Sequence, residues 1–75
     1  MEITLKVIGG LALRLGFTEQ RRQVPEGTTA GALLASLGIA DPQTVITTRN
    51  GWGIAPDEVV ADGDRIVVSP PFSGG

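Results

Sequence analysis

The sequence predicts an α+β domain in which one main helix lies across a mixed sheet of four to five strands. Three observations carry that prediction. Apolar residues alternate with polar ones near the start of the chain and gather again near its end, as strands require. Between them Ala30, Leu33, Leu34 and Leu37 fall at i, i+3, i+4 and i+7, one continuous helical stripe. Strong turn signals separate the periodic segments: Pro25-Glu26-Gly27, Asn50-Gly51 and Asp62-Gly63-Asp64.

In chain order, Ile3, Leu5 and Val7 alternate with Glu2, Thr4 and Lys6, the pattern of a strand with one wet face. Gly9-Gly10 ends it. Leu11 to Phe17 fits both strand and helix periods and is read as a short irregular or helical connection. Glu19 to Val24 is polar and reads as an edge strand, with Arg21 and Arg22 discouraging edge-to-edge pairing. After the proline turn, Thr28 or Thr29 caps the main helix, because a threonine oxygen accepts from a free amide of the first turn. Gly38 is placed to close that helix in a left-handed conformation, with Ile39 as the accompanying apolar contact. Gly31 inside the helix lowers its intrinsic stability, so tertiary packing must hold it.

Asp41-Pro42 resets the chain, and the β-branched run from Thr44 to Arg49 reads as a strand. Asn50-Gly51 is the strongest tight-turn signal present. Pro56 to Val60 reads as one helical turn. Arg65 to Ser69 carries Ile66, Val67 and Val68 together, as for a central strand buried on both faces. Pro70-Pro71 stops the ladder, since neither residue has an amide to donate. One helix over such a sheet, with the first and last strands side by side in its middle, is the β-grasp arrangement. The domain is therefore 1–69, and 70–75 form a flexible C-terminal tail ending in Gly-Gly.

Composition narrows the function. Seventy-five residues make one domain. A chain of that size buries only about 60% of its unfolded surface, so the aliphatic core must be regular. No cysteine is present, which excludes disulfides and fits a reducing, cytoplasmic location. No histidine is present either, which leaves only carboxylates and argues against a bound metal. Met1-Glu2-Ile3 opens on an acidic residue with no long apolar run behind it, so neither a signal peptide nor a membrane span is expected. At net charge −2, with scattered cations and no basic stripe, nucleic-acid binding has no support. No nucleophile–base pair or phosphate-cradling loop stands out, and the chain is not expected to be an enzyme or to hold a cofactor. Gly51 and Gly53 around Trp52 are too short a pattern for a nucleotide motif. Asp57-Glu58 and Asp62-Gly63-Asp64 are read as turn and helix-start chemistry rather than a cation site. Trp52 is read as packing at a loop against the sheet, with a partner interface as the alternative.

The functional signal lies in the tail. A diglycine at the end of a strand and two prolines offers an unhindered carboxylate on a thin stalk, and glycine tolerates the dihedrals a narrow cleft imposes. Gly75 is therefore the candidate reacting residue. Pro70 and Pro71 stiffen the base of the stalk and reduce the entropy lost on docking, and Phe72 is an apolar anchor for a partner groove. With Ser73 and Gly74 these make the candidate partner-binding set.

Val24-Pro25-Glu26-Gly27-Thr28-Thr29, the Leu33-Leu34 helix, Asp62-Gly63-Asp64-Arg65-Ile66 and Pro70-Pro71-Phe72-Ser73-Gly74-Gly75 occur in this order over almost the whole chain. Together they resemble the MoaD/ThiS family of ubiquitin-like sulfur carriers. The tail and the Gly9–Gly16 connection resemble its MoaD members, the small subunits of molybdopterin synthase. Leu11 to Leu15 departs from many of these in carrying only Arg14 as a charge.

The resemblance implies that a MoeB/ThiF-type adenylating enzyme uses ATP to activate Gly75. A sulfurtransferase then yields a thiocarboxylate, and a MoaE-type large subunit accepts the tail for molybdenum cofactor synthesis. Two other readings stand beside it. One is a carrier for thiamine or tRNA thiolation, or a protein modifier joined to lysines. The other is a plain β-grasp binding module. Lys6 is the single lysine, which weighs against a polymerising modifier.

Overall fold

The computed structural model describes residues 1–71. In chain order its elements are β1 (Glu2–Val7), α1 (Gly10–Leu15), β2 (Glu19–Gln23), α2 (Ala30–Ser36), a 3-10 turn (Pro42–Thr44), β3 (Ile46–Arg49), β4 (Trp52–Gly53) and β5 (Arg65–Ser69). The five strands form one mixed sheet in the order β2-β1-β5-β3-β4. β1 and β5 run parallel through its middle, with Leu5 opposite Ile66, and the other pairs are antiparallel. This is the β-grasp fold, with α2 as its main helix.

Period-two alternation sends Ile3, Leu5 and Val7 of β1 to the same side as Ile66 and Val68 of β5, all essentially inaccessible. Ala30, Leu33 and Leu34 of α2 cover them. Burying each of the larger side chains contributes about 1.5–3 kcal/mol, which is what a small domain without cross-links depends on.

The start of α2 leaves no amide unpaired. Ala30 N donates to Glu58 O at 2.9 Å and Gly31 N to Pro56 O at 2.8 Å. Ala32 N donates to the capping Thr29 Oγ1 at 3.1 Å. Gly31 belongs here because a Cβ at its position would stand 3.0 Å from Pro56 O. The intrinsic cost of a helical glycine is thus offset by a close approach that alanine would crowd. At the other end Gly38 N donates to Ala35 O and Ile39 N to Leu34 O, the paired bonds of a left-handed glycine stop.

Three local readings are corrected and a fourth is decided. Of the two alternatives for Leu11 to Phe17 the helical one holds over Gly10–Leu15: α1 forms because Gly9 O accepts from Ala12 N at 3.0 Å and Leu11 turns into the core. Thr44 is not in a strand, since Asp41 caps the Pro42–Thr44 turn by accepting from Gln43 N. Residues 55–58 make a β-turn, Glu58 N to Ala55 O at 3.1 Å, instead of a helical turn. Val67 is only half-buried, because α2 covers one face of the sheet alone. β5 ends at Ser69. Of the expected 70–75 tail, Pro70 and Pro71 are described, while Phe72, Ser73, Gly74 and Gly75 lie outside the described residues.

Candidate functional site

β5 delivers the chain to one end of the sheet between β1 and β3, the most firmly held position the fold offers. Pro70 follows half-buried and Pro71 exposed. Pro70 rests beside Gly9, where a Cβ would lie 3.5 Å from its Cγ. Space is therefore sufficient at Gly9, but conformation is not: its φ of 67° and ψ of −141° form a pair that L side chains avoid. That turn sends the chain from β1 straight into α1, which closes over the base of the tail.

An open groove of about 480 Å³ runs between α1, the 38–41 loop and the two prolines. Leu11, Ile39 and Val45 supply apolar lining, Arg14 and Asp41 opposite charges, and Pro70 and Pro71 one wall. Exposed aliphatic side chains surround the same end. Leu13 of α1 is 88% exposed, Ile8 42% and Ile46 49%. Ile8 stands one step beyond the Val7–Val68 pair and Ile46 is opposite Ser69, so the two isoleucines flank the last residue of β5 on the wet face of the sheet. Sequence reasoning missed Ile8 and Ile46. The available signal was an isoleucine occupying a wet-face position at the end of each strand.

At the opposite end of the sheet the carboxylates are occupied. Asp64, 7% exposed, accepts from Ala61 N at 2.8 Å and Asn50 Nδ2 at 3.2 Å, with Arg49 Nη1 3.5 Å away. Glu58 pairs with Arg49 Nη2 at 2.9 Å and accepts from Ala55 N at 3.2 Å. Asp62 accepts from Glu2 N at 2.7 Å. These acidic residues close turns. Among the described residues no three Asp or Glu side chains gather as metal ligands. Trp52 departs from its expected packing. The Asn50-Gly51 hairpin carries it to the outermost strand, where it is 79% exposed.

Among the described residues the groove is apolar and open, with a single guanidinium opposed by a carboxylate and no catalytic constellation. Four residues of the sequence follow Pro71. Gly75, Phe72, Ser73 and Gly74 fall in this stretch, outside the described residues.

The sequence profile of the ThiS family matches residues 5–75. Among solved structures, SAMP1 from Haloferax volcanii is 28% identical, with 100% of each chain covered and a TM-score of 0.82. The Caldiarchaeum subterraneum ubiquitin is 25% identical over 100% of this chain and 98% of its own, at a TM-score of 0.67. A chain from the complex of subunits 1 and 2 of the molybdopterin-converting factor of Helicobacter pylori shares the fold, at 18% identity, full coverage of both chains and a TM-score of 0.68.

Proposed function

The chain belongs to the ThiS family of small ubiquitin-like proteins, and from that premise we propose that it is a sulfur carrier of the MoaD kind, working as the small subunit of a molybdopterin synthase. The chain is a carrier or modifier of ThiS and MoaD type, and such proteins are not themselves catalytic. In the proposed cycle a MoeB/ThiF-type enzyme uses ATP to adenylate Gly75. A sulfurtransferase replaces AMP with sulfur, and the resulting thiocarboxylate enters a MoaE-type large subunit in the cytoplasm. A thiocarboxylate is an anion at neutral pH and a better nucleophile than a carboxylate, so the carrier needs no base of its own.

The observation that supports this reading is the tail's base. The central strand ends in two prolines against Gly9 and α1, inside a collar of exposed Ile8, Leu13 and Ile46. That geometry leaves Pro71 exposed at the surface and gives a partner apolar surface to grip around it. The Helicobacter pylori complex supports the pairing with a large subunit, since a chain of this fold occurs there in an assembly of two subunits. The likeness to SAMP1, named a small archaeal modifier protein, favours a second reading in which Gly75 is joined to amines of other proteins.

The test is direct. With an adenylating enzyme, ATP and a sulfur source, intact-mass spectrometry should find one C-terminal oxygen replaced by sulfur. Deleting Gly75, or appending a residue after it, should abolish loading with an unchanged melting curve, because the reactive carbon must be terminal. Loading of the extended chain would sink the carrier reading. Failure of a MoaE-type subunit to bind the loaded chain, with conjugates formed instead, would move the modifier reading into first place.

A further inference from the structure

We propose that Asn50 is a modification site gated by folding. When the β3–β4 hairpin opens, its side-chain amide closes on Gly51 N, loses ammonia and becomes a carboxylate, and the folded turn prevents this. Asn50 is the sole asparagine of the sequence and stands directly before a glycine. Gly51 carries no side chain to shield its nitrogen, and nothing lies within 4 Å of where its Cβ would be. Both residues are exposed, so water reaches the turn. This chemistry is independent of Gly75.

The folded turn holds the reacting groups apart. Asn50 takes a φ of 51° and Gly51 one of 90°, the left-handed pair that joins β3 to β4 in a tight hairpin. The Asn50 side chain reaches across to the start of β5. Its Oδ1 accepts from Arg65 N at 2.9 Å and its Nδ2 donates to Asp64 Oδ1 at 3.2 Å. Its main-chain N donates to Arg65 O at 2.9 Å. With both polar atoms of the amide engaged there, Cγ is held toward β5 instead of turning back along the chain onto Gly51 N. The Asp64 carboxylate also opposes the negative charge that the Gly51 nitrogen acquires on losing its proton. Opening the hairpin breaks these bonds together and frees the side chain.

In the open chain the deprotonated Gly51 N attacks Asn50 Cγ. A new C–N bond forms, the bond from Cγ to the side-chain nitrogen breaks, and that nitrogen leaves as ammonia with a proton from water. Water then opens the cyclic imide at either carbonyl. Attack at Cγ yields aspartate, and attack at the main-chain carbonyl yields isoaspartate, whose backbone is longer by a methylene. The net change is ammonia exchanged for water. Neither product fits the folded turn. The new carboxylate meets Asp64, 7% exposed, where the amide had donated, and like charges repel there. Arg49 already serves Asp64 and Glu58. Isoaspartate also displaces Trp52 from its pairing with Arg49. The conversion therefore makes a passing opening of the hairpin permanent.

The experiment holds the full chain at mildly alkaline pH and one temperature, folded in buffer and unfolded in guanidinium chloride. Peptide mapping with isoaspartate-specific methyl transfer follows the reaction. Conversion should fall on Asn50, with ammonia exchanged for water in its peptide, and run at least about tenfold slower in the folded chain, which must open first. Chain converted in denaturant, separated by ion exchange and returned to buffer, should melt lower than unconverted chain or fail to refold. Asn50→Asp should behave in the same way. Equal rates in the folded and unfolded chain would show that the turn does not hold the reacting groups apart. An unchanged melting curve after conversion would show that Asp64 tolerates the product. Isoaspartate arising at Asp62-Gly63 in preference to Asn50 would put the site elsewhere, and any of these three results overturns the proposal.

Discussion

At the end of the sheet where β5 begins, Arg49, Asn50, Glu58 and Asp64 satisfy one another and the turns around them. Asn50 accepts from Arg65 N at 2.9 Å, and Arg49 donates to Val59 O at 2.9 Å while pairing with Glu58. Where β5 stops, the chain offers Gly9, Gly10, Pro70 and Pro71, an open groove and exposed Ile8, Leu13 and Ile46. One end is closed by specific polar bonds and the other is left available. On the proposed function, stability and partner contact are separated along one strand. Damage at the start of β5 should appear in the melting curve, and damage at its end should appear in loading and affinity.

Asp64→Ala gives the largest stability effect of that division. It leaves Ala61 N and the Asn50 amide without their acceptor and removes one of Arg49's two carboxylates. The expected loss is about 2–3 kcal/mol, the scale of hydrogen bonds to a buried charged group. Scanning calorimetry should then show the transition lowered by about 10–20 °C for a domain of this size. Gly75 loading below that transition should be unaffected. A loading defect at temperatures where the variant is fully folded would break the division.

Phe72→Ala tests the other side. An apolar anchor next to the prolines should contribute about 1–3 kcal/mol to affinity for the large subunit, the range of a moderate interface residue. Calorimetric titration should show that loss with an unchanged melting temperature. A large thermal loss would instead put Phe72 in the core.

Gly9→Ala acts on both stability and the base of the tail, because Gly9 makes the turn into α1 and lies beside Pro70. Forcing a side chain into its φ of 67° should cost about 1–2 kcal/mol of stability. Relaxation of that strain also moves Pro70, so the rate of Gly75 adenylation should fall in the same variant. Stability lost with adenylation intact would show that Gly9 shapes the turn into α1 but does not aim the tail.

The parts legible in the sequence were those written by neighbours in the chain. Thr29 and Gly38-Ile39 frame α2 through bonds spanning three to five residues, and Asn50-Gly51 forms its turn from its own dihedrals. The Arg49–Glu58–Asp64 association was not legible, because it joins segments nine and fifteen positions apart that meet only after β3 and β5 pair. The state of Leu11–Phe17 was undecided for a related reason. Its two periods are both present, and the choice falls to the turn at Gly9 and the burial of Leu11. Val67 was misread because three consecutive apolar residues look the same whether one face or two are covered. For the site, the two prolines were legible as a stop. The collar of Ile8 and Ile46 was not, since its position depends on strand register.

Trp52→Ala has the smallest expected effect and tests the closed end from outside. Tryptophan usually contributes through buried area, yet this one is 79% exposed on the two-residue edge strand β4. Its backbone pairing opposite Arg49 survives truncation, and the polar bonds inside the turn do not involve its ring. The melting free energy should therefore change by no more than about 0.5 kcal/mol, as for an exposed substitution away from special features. Adenylation of Gly75 should also be unchanged, because the ring sits at the far end of the sheet from Pro70. Both measurements belong on one preparation. A loss above that bound would mean the indole shields the Arg49–Glu58 pair from water, making the closed end depend on an apolar lid as well as on its hydrogen bonds.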